Sequence, residues 1–473
     1  MHLLRLSCLL LVSCLFSVAQ AVDRPNVIFI YTDDQAPTAL GLTSGSQFQT
    51  PHIDRIFREG AQLINGFTTT PVCSPSRASL MTSRYASELG IDDWISPTRE
   101  AKHGLDPAYE TWPELFAAAG YRCGLIGKWH LGTADRYHPT EFGYGHFMGF
   151  RGGGNKPKNP RLEKDGKQQQ FTGLTPDILT SEAIAFIERK DPAPFLLSLH
   201  FRAPHAAWLP VADEDWLPFK DLEPTIPNPE IPGLLVDKIR RQTREYMASV
   251  ASVDRNVGRL LQALDRLQLT QDTVVIFTSD HGYHLGHHGL WYKGNAQWQL
   301  RELPAQRWPG IPRKQRPNLF DQALRVPAAV RWPTKIRAGT VVKETVTNLD
   351  WYPTLLAMAG IEQPDVTLRG HNFLPLLQGT EVPWDNDMYA EYNMKHGATT
   401  KMRAYRTPEW KLMVDFHNTG REELYDLRND PAEAHNLIAS QDAEVIKIKQ
   451  ALRAKIREKM QRLQDPIVAE AKE

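Results

Sequence analysis

The amino-acid sequence predicts an α/β fold: a large, mostly parallel sheet sandwiched by helices, followed by a smaller C-terminal α+β subdomain with an antiparallel sheet. Three observations predict it. Continuous apolar, β-branched runs recur up to about Leu377, and such runs suit strands covered on both faces. Stretches with apolar residues at helical spacing lie between them. After Leu377 the texture changes to short strand-like runs separated by turns, then one long polar-faced helix. At 473 residues the chain exceeds one ordinary domain.

The elements follow in order. Residues 1–21 read as a signal peptide, with Arg5 ahead of an apolar run that ends near Val18 and Ala19-Gln20-Ala21 as the cleavage pattern. The run is too short for a membrane span of about 20 residues, so the mature chain starts near Val22 and is exported, periplasmic or secreted. Leu11-Val12-Ser13-Cys14 offers a second reading, a lipoprotein anchored at Cys14. The first strand, 27–31, follows Pro25, the second, 195–199, follows Pro194, and the third covers 274–277. Helices are predicted over 180–189 and over 246–267, where Val250, Val253, Val257, Leu260, Leu261 and Leu264 share a face. Residues 151–170, Gly-rich and then Lys/Gln-rich, and 295–318, rich in Pro, Arg and Gln, are expected to be surface loops. The division falls into a core domain, 22–378, and a C-terminal subdomain, 379–473. In the latter, strands are predicted at 388–392, 401–406, 411–416 and 423–427, and a helix over 443–463.

Lys+Arg and Asp+Glu balance at 55 each. No long-range positive field exists to gather nucleic acid or an anionic membrane, so an anion has to be caught locally. Cys8 and Cys14 leave with the leader, and the remaining chain keeps Cys73 and Cys123. Two cysteines in an exported chain would by default pair or be buried. There is no Asn-x-Ser/Thr site, in keeping with a bacterial source.

In open α/β sheets, ligands bind beyond the carboxyl ends of the strands. The first strand runs into Thr32-Asp33-Asp34, the second is followed by Pro204-His205, and the third by Ser279-Asp280-His281-Gly282. One such pair alone is usually a helix cap or an ion-paired surface group. Several on one sheet edge make an oxygen-rich site for a hard divalent cation. Lys128 and His130 stand between Gly127 and Gly132, and Lys293 stands before Gly294. With Arg77 these cations suit a sulfate or a phosphate. The run Cys73-Ser74-Pro75-Ser76-Arg77 opens a helix, with Ser74 as the expected N-cap and Pro75 in the first turn. An anion there meets unpaired N–H groups and the Arg77 fork.

With these residues in place, the chain resembles the type I, formylglycine-dependent sulfatases of the alkaline phosphatase superfamily. The resemblance runs over nearly all of the chain after the leader. It is carried by residues 26–34, Thr50-Pro51-His52-Ile53-Asp54, Cys73 to Arg77 with Ala78-Ser79-Leu80-Met81-Thr82, and Gly127 to Gly132. Further blocks are Ala203-Pro204-His205, residues 277–282, Arg325-Val326-Pro327, Leu424-Tyr425-Asp426-Leu427, Asp430-Pro431 and Asn436-Leu437. The resemblance implies an alkaline-phosphatase-like core as the catalytic domain. It also implies that a formylglycine-generating maturation enzyme reads Cys-x-Pro-x-Arg and converts Cys73 to formylglycine. The aldehyde hydrates to a geminal diol; one hydroxyl attacks sulfur, and the second loses its proton so that sulfate is expelled. By the same resemblance Asp33, Asp34, Asp280 and His281 hold one calcium ion, with the side chain at Cys73 completing the shell. Many relatives carry Asn where His281 stands. Arg77 and Lys128 stabilise the diol and the sulfate, and His130 is the base that expels sulfate. His205 and Lys293 bind the sulfate and assist the leaving oxygen.

There is one departure: 295–318 is inserted before Leu319-Phe320-Asp321-Gln322. The insertion should lie near the mouth of the site and removes no catalytic position. Exported bacterial relatives usually act on sulfated sugars, so a sulfated saccharide is the expected substrate. Two rivals stay open. One is a phosphate or phosphonate monoester hydrolase of the same superfamily. The other is a secreted, non-catalytic binding protein with a Cys73–Cys123 disulfide.

Overall fold

A computed structural model describes residues 24–468, apart from 46, 297 and 300–307. The expected leader, with Arg5, Cys14 and the cleavage pattern, lies outside the described residues, as does part of the insertion.

The main sheet has ten strands: β1 (Asn26–Thr32), β2 (Ala61–Phe67), β3 (Arg122–Lys128), β4 (His146–Phe150), β5 (Arg161–Lys164), β6 (Lys167–Gln170), β7 (Phe195–His200), β8 (Thr273–Ser279), β11 (Ala328–Arg331) and β12 (Thr340–Thr347). Their order is β12-β2-β11-β8-β1-β7-β3-β4-β5-β6. The central run β8-β1-β7-β3-β4 is parallel throughout. A two-strand ribbon, β9 (Leu290–Trp291) with β10 (Trp298–Gln299), lies outside this sheet. Register decides function here. Tyr31 is level with His200 and with Thr278, and Gly127 is level with His200. The strands therefore end together, and the residues just past them are forced into one neighbourhood.

Apolar clusters cover both faces, which is why the central strands read as unbroken hydrophobic runs. On one face the helices Thr175–Ile187 and Val236–Arg266 supply Leu179, Ala183, Val253, Val257, Leu260 and Leu264. Each of the larger side chains contributes about 1.5–3 kcal/mol when fully buried. The second helix begins ten residues before the expected 246, at Val236, on a more polar stretch. The segment 151–170 is not all loop: Arg161–Lys164 and Lys167–Gln170 form a hairpin that extends the sheet at its edge.

The C-terminal part forms a separate antiparallel sheet, β13 (Met388–Tyr392), β14 (Met402–Arg406), β15 (Trp410–Asp415) and β16 (Glu422–Asp426). The helix Ala443–Arg462, capped by Asp442, packs Leu452, Ile456 and Met460 on Leu412, Val414 and Leu424. No helix among the described residues is long and apolar enough to cross a membrane.

Candidate active site

The site is built from strand ends and one helix start. β1 delivers Asp33 and Asp34, with Asp34 in the left-handed region (φ 67°), and β8 delivers Asp280 and His281. β3 ends on Lys128, and His130 follows at φ 65°. Gly127 has to be glycine: its φ is +115°, and a Cβ would meet the His200 carbonyl oxygen at 1.9 Å. β9 leads through Tyr292 to Lys293. The helix Cys73–Thr82 starts on Cys73 itself, with Val72 as its N-cap residue and no side-chain cap. Ser74 is thus inside the helix rather than at its cap, and its Oγ accepts from the Ile95 N–H at 3.0 Å. Pro75 does fall in the first turn.

The sequence-predicted residues converge. Lys293 Nζ is 3.0 Å from Cys73 Sγ and 2.7 Å from Asp34 Oδ1. Cys73 Sγ is 3.4 Å from both Asp33 Oδ1 and His281 Nε2. His281 Nε2 also lies 3.2 Å from Asp34 Oδ1 and 3.3 Å from Asp280 Oδ1. Lys128 Nζ donates to Asp33 Oδ2 at 2.5 Å, and Arg77 Nε to Asp280 Oδ2 at 3.0 Å. His205 stands further out: its Nδ1 lies 2.6 Å from the Ala206 carbonyl, and its Nε2 is 4.0 Å from Asp34 Oδ2. Ligand atoms of Asp33, Asp34, Cys73 and His281 all lie within 4.8 Å of one another. Asp280 sits beside this set, with one oxygen taken by Arg77.

Every one of these residues except His205 is buried, so charge has to be compensated on the spot. Burial alone would raise the Asp33 carboxyl, but Lys128, helped by His205, Lys293 and Arg77, holds it well below the carboxylate range. Burial and Asp33 push the Cys73 thiol up; Lys128, Lys293 and His281 outweigh them and bring it down to about 6. Burial disfavours a charged His281, yet Asp280 chiefly carries it up to about 9. His205 goes the other way, to about 4, because burial outweighs Asp34 and Asp33.

Two residues escaped the sequence reading. His200 Nδ1 and Arg77 Nη1 both reach the Lys128 carbonyl, at 3.1 and 3.2 Å. The Arg77 guanidinium lies 4.9 Å above the Tyr31 ring. Tyr31 is the last residue but one of β1 and His200 the last of β7, and a polar group at the end of an apolar run was the available signal. Cys73 and Cys123 are both free, which overturns the disulfide of the binding-protein reading. Cys123 lies on β3, where burial pushes its thiol up to about 12.

A sheet edge that gathers acidic oxygens beside basic groups has the donors for a cation and an anion together. Residues 25–361 match the family described as sulfatase, and residues 315–463 match the N-sulphoglucosamine sulphohydrolase C-terminal family. The chain belongs to the sulfatase family of the alkaline phosphatase superfamily and is a sulfuric ester hydrolase. It is 27% identical to an N-acetylglucosamine-6-O-sulfatase of Bacteroides thetaiotaomicron, over 92% of this chain and 86% of that one. It is 26% identical to an ulvan-active sulfatase of Formosa agariphila, over 93% and 82%. A solved structure of a protein with its substrate D-glucosamine-2-N,6-O-disulfate superposes with a TM-score of 0.78 at 25% identity, covering 95% of this chain and 100% of that one.

Proposed function

We propose that the protein is an exported sulfatase that desulfates carbohydrates, with 6-O-sulfated amino sugars the first class to test. The similarity to an N-acetylglucosamine-6-O-sulfatase supports the substrate class, and the leader-like residues 1–21 support export. The observation that carries the mechanism is the placement of Cys73, buried at a helix start between Lys293, Asp33 and His281. In this reading 22–378 is the catalytic domain and 379–473 the C-terminal subdomain.

The donor set fits a hard divalent cation, calcium in this reading. Three carboxylates and one imidazole converge, and Asp34 Oδ2 is buried with no hydrogen-bond partner among the described residues. Asp33, Asp34, Asp280, His281 and the side chain at 73 would hold the ion, which would neutralise sulfate oxygens and acidify a bound hydroxyl. Formylglycine made from Cys73 would supply two geminal hydroxyls, one to take the sulfuryl group and one to expel it as sulfate. The chain's own residues do the rest. Lys128 and Arg77 fix Asp33 and Asp280 and add positive charge where sulfate oxygens sit. Lys293 binds the sulfate. His205 joins Lys293 in binding the sulfate and assisting the leaving oxygen, and His130 takes the proton that accompanies sulfate release.

Desulfation of defined sulfated monosaccharides, with 4-nitrophenyl sulfate and phosphate as a matched pair, tests the function. Peptide mass spectrometry of residue 73 tests the mechanism. Expected are release of sulfate from a 6-O-sulfated amino sugar, sulfate preferred over phosphate, and an aldehyde at 73. Higher kcat/KM on the phosphate ester would move the protein to the phosphate or phosphonate class. A Cys73→Ala variant with full activity would sink the mechanism.

A further inference from the structure

The glycine run after β4 has a use. The Trp129 N–H donates to the Phe150 carbonyl and the His130 N–H to the Arg151 carbonyl, each at 3.1 Å. The chain beyond β4 is thereby laid alongside residues 129–130, and Gly153 comes against the His130 imidazole. A Cβ at Gly153 would lie 2.5 Å from both Cε1 and Nε2 of His130, closer than any side chain can stand. His130 Nε2 is also 3.1 Å from the Ile95 carbonyl oxygen. A carbonyl only accepts, so Nε2 carries the proton and Nδ1 keeps the lone pair. Nδ1 is buried and has no hydrogen-bond partner among the described residues. Burial, reinforced by Lys128 and Arg77, holds the imidazole well below its usual range and keeps it neutral. Ile95 is fixed in turn by its N–H bond to Ser74 Oγ, next to Cys73 in sequence.

We propose that Gly153 and the Ile95 carbonyl are positioning elements for His130: they hold the imidazole as the Nε2–H tautomer and leave Nδ1 as the atom that accepts the proton when sulfate is released. The proposal rests on the reading of His130 as the base. Gly153 is needed for its missing side chain rather than for its backbone, since none of Gly152, Gly153 and Gly154 has a positive φ.

This supplies its own controls. A Cβ at Gly152 has its nearest neighbour at 3.8 Å, and one at Gly154 meets nothing within 4 Å. The three variants Gly152→Ala, Gly153→Ala and Gly154→Ala are compared in the full-length enzyme. Nitrogen NMR of histidine-labelled protein reads the tautomer, with the His130 signals identified by their loss in His130→Gln. The wild type is expected to show a neutral ring protonated at Nε2. Gly153→Ala should shift that signal or mix the tautomers, while the two controls leave it in place. On 4-nitrophenyl sulfate, Gly153→Ala should lose between about tenfold and a hundredfold in kcat with KM little changed, and the controls should match the wild type. A wild-type ring protonated at Nδ1, or a Gly153→Ala enzyme with the wild-type signal and kcat, overturns the proposal. If Gly153→Ala does not fold, the wild-type tautomer decides alone. His130→Gln with undiminished kcat would defeat the base reading instead, and the spectrum would still report the clamp.

Discussion

Asp34 shows how much one residue carries. Its Oδ1 pairs with Lys293, its backbone N–H reaches Asp280 Oδ1 at 3.3 Å, and its Oδ2 has no hydrogen-bond partner among the described residues. Asp34→Asn is expected to lose the bound divalent ion, measured by elemental analysis, and at least about a hundredfold in kcat. Chelation should inactivate the wild type, with recovery on added calcium; the Asp34→Asn variant should gain nothing from the same addition. A chelated wild type that kept its rate would refute the metal assignment. The convergence of these residues was legible because carboxylates, imidazoles and amines stand just past apolar strands. Ser74 was misread because its partner, Ile95, lies 21 residues away. Local pattern alone made its hydroxyl look like a cap. His200 was passed over because its role arises only when β7 is set level with β1 and β3.

Among the elements, legibility followed burial. Helix 246–267 could be read where its apolar face is continuous, and not over its polar first turns. The hairpin at Arg161–Gln170 had no pattern to offer, since all of Lys167–Gln170 is exposed and an edge strand with no buried face shows no alternation. Asp254, on the helix Val236–Arg266, accepts from the N–H groups of His52 and Ile53 at 2.9 and 2.7 Å, at the start of Pro51–Glu59. Burial raises its carboxyl to about 7 despite those donors, with Asp54 and Asp215 adding to the rise. From the unfolded value near 3.8 up to about 7, the folded chain keeps a proton that the unfolded chain has lost. Stability therefore falls as pH rises through that window. Asp254→Asn should gain in Tm relative to wild type between about pH 5 and about pH 8; an unchanged difference would refute the assignment. Arg403 grips Asp465 with Nε at 2.6 Å and Nη2 at 2.9 Å, both groups fully buried. Arg403→Met strands a buried carboxylate and should cost about 3–5 kcal/mol in denaturant unfolding, much of it recovered by adding Asp465→Leu.

At the scale of the whole molecule, the C-terminal part reaches the catalytic edge through the loop that carries Asp93 and Ile95. Asp93 accepts from the backbone of Lys395 and His396 and from the Tyr392 hydroxyl, and two residues later Ile95 touches both Ser74 and His130. Asp93→Ala is therefore expected to lower kcat with metal content unchanged, measured side by side; lost metal would mean wider damage. Cys73 is 2% exposed, at the base of a packed site. On the proposed reading a maturation enzyme would have to grip Cys73 through Arg77, which is itself buried, before the chain closes over both. On the proposed formylglycine reading, conversion would then race against folding. A maturation enzyme added to folded, unconverted protein should leave residue 73 as cysteine, while a peptide carrying Cys73 to Arg77 is converted. Equal conversion of both would refute this. On that reading the active fraction of a preparation would be a record of how it was synthesised, written once and not editable afterwards.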